Sequence, residues 1–160
     1  MSLKVHNKSD KFFEMISFIN DNFYIACEKG NIARVKELLK REDLDVNNCE
    51  DSKHNPLYVA CKNGYLEIVK ELLTIKDLDV NNHGDSNNNP FYAACYWGKL
   101  EIVKELLKRE DLDVNNCGDS KCNPLYLLCK FGNFEIVPEL LKRKDLDVNN
   151  HGDSSNNPFY

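Results

Sequence analysis

The chain has 160 residues, of which 42% are hydrophobic and 29% charged, with a net charge of −5. That length and mix suit one folded unit with a real core, so disorder is not expected. The acidic balance argues against a general nucleic-acid binder, and no run approaches the ~18 apolar residues of a membrane helix.

The start, Met1-Ser2-Leu3-Lys4-Val5-His6, lacks the apolar stretch of a secretory signal. Ser9-Asp10 is placed to cap a helix carrying Phe12, Phe13, Met15, Ile16, Phe18 and Ile19. That face is too apolar for an isolated helix, so residues 1–20 are expected to cap whatever follows. A membrane-surface helix is the rival, disfavoured because basic residues are sparse here.

From residue 21 the chain repeats itself. Pro56, Pro90, Pro124 and Pro158 keep one spacing of 34 residues, as do Gly30, Gly64, Gly98 and Gly132 and also Cys27, Cys61, Cys95 and Cys129. Asp-Val-Asn-Asn recurs from Asp45, Asp79, Asp113 and Asp147. Registers in phase mean a repeat architecture. The units are 21–54, 55–88, 89–122 and 123–156, with 157–160 opening a fifth. A 68-residue period overlies this one, since the loop at Cys49 resembles that at Cys117, and the loop at His83 resembles that at His151.

Within the unit 55–88, Asn55 is expected to be an N-cap and Pro56 the first helical residue. Leu57, Ala60 and Cys61 share a helical face, and Gly64 ends the helix in a left-handed conformation. A second helix places Leu66, Val69, Leu72 and Leu73 on one side and Glu67, Lys70 and Glu71 in water. Lys76 to Val80 is expected to be extended, and Asn81 to Asn88 is rich in turn formers. Helices of two or three turns cannot bury their stripes alone. Stacked in phase they form a mainly α solenoid of helix-turn-helix units with hairpin-like loops.

The segment Asn55-Pro56-Leu57-Tyr58-Val59-Ala60-Cys61-Lys62-Asn63-Gly64-Tyr65-Leu66-Glu67-Ile68-Val69 resembles the ankyrin-repeat pattern, with Leu72-Leu73 and Asp79-Val80-Asn81 as later landmarks. The likeness covers roughly residues 20 to 160. The family's Thr is Asn at 55, 89, 123 and 157, and its His is Tyr at 58, 92, 126 and 160. The Thr–His bond of the family is lost in that form. The 34th residue lies after the second helix, where a different turn is expected, filled by Leu44, Leu78, Leu112 and Leu146.

Pro138 stands where other units carry Lys36, Lys70 and Lys104, so the fourth unit's second helix should kink or shorten and that unit should be the loosest. Asn157-Pro158-Phe159-Tyr160 begins a unit and stops. The favoured expectation is a fragment of a longer protein; the other is an open last repeat that invites end-to-end self-association.

Cys27, Cys61, Cys95 and Cys129 take a position that is Ala in the family and are read as buried, unpaired thiols, which fits a reducing compartment, cytoplasm or nucleus. Cys49, His83, Cys117 and His151 alternate at one loop position, and Cys117 with Cys122, or Cys49 with His54, offer two ligands each; a closed zinc site wants four, so no metal and no cofactor is expected. The Asp-x-Asp pairs at 43/45, 77/79, 111/113 and 145/147 recur in every unit and read as a solvated acidic ridge able to steer a basic partner, not as a catalytic pair. No phosphate loop or nucleophile elbow occurs, and the chain is not expected to be an enzyme.

The resemblance implies a protein-binding scaffold that uses its concave groove and hairpin tips. The groove positions are then Glu28-Lys29, Lys62, Asn63, Tyr96, Trp97, Lys130 and Phe131; the tips include Lys53, His83, Asp85, Asp119 and Lys121. Tyr96, Trp97 and Phe131 also stand out physically, as large aromatics at the exposed end of a helix. The structural alternative is that Trp97 and Phe131 pack on each other or on a loop. The alternative function is the regulatory or targeting segment of a larger enzyme or effector.

Overall fold

The computed structural model describes residues 8–47, 55–83, 89–116 and 123–149. Among these residues eight α-helices follow in order: α1 Lys8–Glu28, α2 Ile32–Leu38, α3 Pro56–Asn63, α4 Leu66–Leu73, α5 Pro90–Tyr96, α6 Leu100–Leu106, α7 Pro124–Phe131 and α8 Val137–Leu140, with a 3-10 turn at Phe134–Ile136 before the last. No strand occurs among the described residues. Apart from His83, the residues expected at the hairpin tips lie outside them.

First helices stack in the order α1, α3, α5, α7, and second helices in the order α2, α4, α6 and the 3-10 turn. One hydrophobic core runs through all of them, from Phe23 to Leu140. The solenoid inferred from the repeat spacing is thus the observed architecture. The first helices are more deeply buried than a single stripe implies. In α3 every residue from Pro56 to Cys61 is buried, Tyr58 and Val59 included, because a first helix has a neighbour on each side as well as its own second helix.

The starts of α3, α5 and α7 follow from local chemistry. Pro56, Pro90 and Pro124 open the helices, and the side-chain oxygens of Asn55, Asn89 and Asn123 accept from the backbone N–H of Tyr58, Tyr92 and Leu125 at 2.6, 2.7 and 2.8 Å. The first repeat has Asn22 where the others have Pro, and α1 runs unbroken through that point for 21 residues. It begins at Lys8, ahead of Ser9 and Asp10. Of the expected capping stripe, Ile19 is buried but Met15 and Phe18 are exposed, since α1 meets the stack along only one side.

Gly98 shows why glycine ends the first helix. Its φ is +61°, and a Cβ there would lie 2.6 Å from Asn133 Oδ1 of the next repeat. Asn133 uses that close approach to donate to the carbonyls of Cys95 and Tyr96 at the end of α5, at 2.7 and 3.2 Å.

Two expectations are corrected. Lys76 to Val80 is not extended: the chain turns at Lys76 and Asp77. Ile75 N–H donates to Leu72 and Leu78 N–H to Ile75, which tucks Leu78 into the core at 4% exposure. Leu112 is buried likewise, and Leu44 and Leu146 pack against the same core, so the leucines do fill the turn. Cys129 is exposed, unlike Cys27, Cys61 and Cys95. It occupies the side of α7 that would meet a following first helix, and no such element is among the described residues.

Pro138 has the expected effect on local structure. Where α4 is one continuous helix of eight residues, the fourth unit has a three-residue 3-10 turn and then the four-residue α8, with Pro138 in its first turn.

Candidate partner-binding surface

The side chains that join the repeats also define what is left for a partner. Asn47 spans the first and second units: its Nδ2 donates to Asp77 O at 2.8 Å and its Oδ1 accepts from Asp79 N–H at 2.9 Å. Asn81 does the same to Asp111 and Asp113, and Asn115 to Asp145 and Asp147. The carboxylates of Asp45, Asp79, Asp113 and Asp147 in turn accept the N–H two residues on. At the N-terminal end Asn20 of α1 supplies the missing oxygen, accepting from Asp45 N–H at 3.2 Å, while its buried Nδ2 has no partner among the described residues.

The capping asparagines have a second role. Asn55 Nδ2 donates to Asn82 O, and Asn89 Nδ2 donates to Asn116 O at 2.6 Å. One amide therefore caps a helix and ties down the loop at the far end of its own unit, which a threonine cannot do alone.

The acidic ridge is accordingly less free than its sequence suggests. Arg41, Arg109 and Arg143 each grip the aspartate two residues on, through Nε and Nη2, at 2.6–2.9 Å. These bonds hold the carboxyls of Asp43, Asp111 and Asp145 below the usual aspartate range. All the ridge aspartates but the half-buried Asp43 remain exposed, and most are engaged in fixing turns.

The groove positions form two regions. On α3, Lys62 is half-buried, and Asn63 is exposed but donates to Glu28 O of the preceding helix at 3.1 Å. Asn63 therefore has a structural partner of its own. On α5 and α7 the aromatics assemble around Tyr96. Its ring lies 5.7 Å from Tyr92, 5.1 Å from Trp97 in an edge-on contact, and 4.3 Å from Phe131. Trp97 and Phe131 thus meet through Tyr96 rather than directly, and both remain open, at 50% and 40% exposure. Lys130 Nζ lies 5.3 Å from the Tyr126 ring centre and 5.7 Å from that of Phe131, within cation–π range. His83 is exposed, with its Nε2 3.5 Å from Asn116 Nδ2. Lys53, Asp85, Asp119 and Lys121 lie outside the described residues.

Tyr24, Tyr58, Tyr92 and Tyr126 recur at one repeat position. Burial raises the Tyr24 and Tyr58 hydroxyls above their ordinary pKa. Tyr58, Tyr92 and Tyr126 stand where the family has histidine, and the 34-residue spacing extends the row back to Tyr24.

The thiols of Cys27, Cys61 and Cys95 are free and desolvated; burial pushes Cys27 to about 12 and moves the other two in the same direction. Among the described residues no three His, Cys, Asp or Glu side chains are gathered to hold a metal, and no helix is long and apolar enough to cross a membrane.

Comparison with known families agrees with this architecture. The family described as ankyrin repeats (three copies) matches residues 23–116 and 91–158, so the chain belongs to the ankyrin-repeat family. No curated protein matches it. The ankyrin-repeat architecture is suited in general to binding other proteins.

Proposed function

We propose that this chain is a scaffold that binds a protein partner on the face bearing Lys62, Asn63, Tyr96, Trp97, Lys130 and Phe131, with Lys53, His83, Asp85, Asp119 and Lys121 of the loops contributing at its edge. The observation that carries this is the state of Trp97 and Phe131. Both rings are held by Tyr96, and both are left about half open. Pre-positioned rings lose little entropy on docking and are frequent interface anchors. Lys130, resting over Tyr126 and Phe131, adds a cation beside them. The buried free thiols support placing the protein in a reducing compartment such as the cytoplasm.

The test is affinity enrichment with the intact chain against Trp97→Ala/Phe131→Ala, with both checked for helicity and urea midpoint. The ring contacts are worth ~0.5–1.5 kcal/mol each, so the double variant is expected to fold and to lose its partner. A folded variant that captures the same partner as strongly would remove the aromatic anchor from the scheme.

A further inference from the structure

An Arg-x-Asp turn follows the second helix of the first, third and fourth units, and at two of the three junctions between units the arginine does more than hold its aspartate. Arg109 Nη1 reaches back to Leu73 O at 3.2 Å and Nη2 to Leu78 O at 3.4 Å, both in the preceding unit. Arg143 reaches Leu107, Arg109 and Leu112 carbonyls in the same way, at 3.2, 3.0 and 3.1 Å. Each guanidinium is a clasp: a carboxylate on one side and carbonyls of the previous turn on the other. Their burial follows, with side-chain exposures of 21% and 17% against 44% for Arg41, which has no preceding turn to reach.

The junction between the first and second units lacks the clasp. Ile75 stands at the arginine position, while Asp77 keeps the aspartate position. Asp77 has no cationic partner among the described residues, and neither Leu39 O nor Leu44 O receives a guanidinium. At this junction lies a cleft of about 320 Å³ whose lining includes Leu39, Arg41, Leu44, Val46, Ile75 and Asp77. The cover is missing as well. Leu78 with Val80, and Leu112 with Val114, are buried under Arg109 and Arg143, whereas Leu44 and Val46 are only partly buried. A cleft of about 500 Å³ lies beside Arg143 as well, so the difference is in the lining: there the arginine forms part of the wall, and the counterparts Leu112 and Val114 do not.

We infer that this cleft is a binding site for the arginine side chain of another protein, whose guanidinium takes the place that Arg109 and Arg143 fill from within the chain. A planar fork matches one carboxylate and two carbonyls set around it, and an ammonium does not. Its methylene stem lies over Ile75, Leu44 and Val46, which an arginine covers well. Arg41 is no obstacle: Arg109 and Arg143 stand in the same relation, each neutralised by its own aspartate. The site does not depend on the aromatic face.

The experiment is an amide-resolved NMR titration of the intact chain with N-acetyl-arginine amide and, separately, N-acetyl-lysine amide at millimolar concentrations. The arginine probe is expected to shift amides of Leu39–Asp45 and Ile75–Asp77, and to bind about tenfold more tightly than the lysine probe. Asp77→Asn is expected to weaken it about threefold or more. Ile75→Arg is expected to abolish it and to raise the urea midpoint, because the clasp is then supplied internally. Equal binding of the two probes, binding that survives in Ile75→Arg, or no localised shifts with arginine would each overturn the proposal. Should Ile75→Arg fail to fold, Asp77→Asn decides: arginine binding unchanged in that variant overturns the proposal.

Discussion

Replacing Asn89 by alanine tests the double use of the capping asparagines. Asn89 is fully buried, accepts from Tyr92 N–H at 2.7 Å and donates to Asn116 O at 2.6 Å. Loss of an N-cap costs ~1 kcal/mol. Loss of a buried hydrogen bond to a loop carbonyl adds about 1–2 kcal/mol, since its acceptor is poorly placed to regain water. Asn89→Ala should therefore destabilise by roughly 2–3 kcal/mol, or about 6–9 °C in Tm for a domain of this size. Asn89→Ser separates the two effects, because a hydroxyl can restore the cap but is too short to reach Asn116. It should recover about 1 kcal/mol and no more. Urea unfolding followed by circular dichroism, with the denaturant slope checked for constancy, gives the ordering wild type, Ser, Ala. A serine variant as stable as wild type would show that the bond to Asn116 contributes nothing. An alanine variant within about 0.5 kcal/mol of wild type would refute both contributions.

Pro138→Lys should merge the 3-10 turn and α8 into one helix and raise the urea midpoint, by about 1–3 kcal/mol in stability, with more helical signal at 222 nm. Alkylation read by mass spectrometry should label Cys129 in the folded protein and leave Cys27, Cys61 and Cys95 unmodified until the chain unfolds, because burial disfavours their thiolates. The carboxyls of Asp43, Asp111 and Asp145 titrate lower in the folded state than the ordinary value near 3.8. Their stabilisation is thus present at neutral pH and lost as pH falls below about 4 through the folded values. Asp111→Asn/Asp145→Asn should flatten the acid limb of the stability curve, and an unchanged limb would mean that these pairs do not contribute.

Local chemistry made most of the fold legible. The 34-residue phase, asparagine before proline, glycine after seven or eight helical residues and leucine in the turn are each decided by backbone conformation or by the need to bury a stripe. They read directly off Asn55-Pro56, Gly64 and Leu78, and the same kind of inference located the break at Pro138. The aromatic positions Tyr96, Trp97 and Phe131 were legible too, because large rings beside a helix-ending glycine have few places to go.

What tertiary structure alone decided is which partner each polar side chain finds. Asn81 looks like one more turn former until the next unit brings Asp111 and Asp113 within reach. Arg109 looks like a solvated charge until Leu73 O and Leu78 O, more than thirty residues earlier, are laid beside it. A hydrogen bond depends on distances of a few tenths of an ångström and on direction, and no residue spacing encodes these across two separate units. Hydrophobic burial tolerates such differences, so its periodicity survives in the sequence. The bonds between units, and the apolar cleft lining left uncovered where Ile75 interrupts them, exist only once the units are stacked.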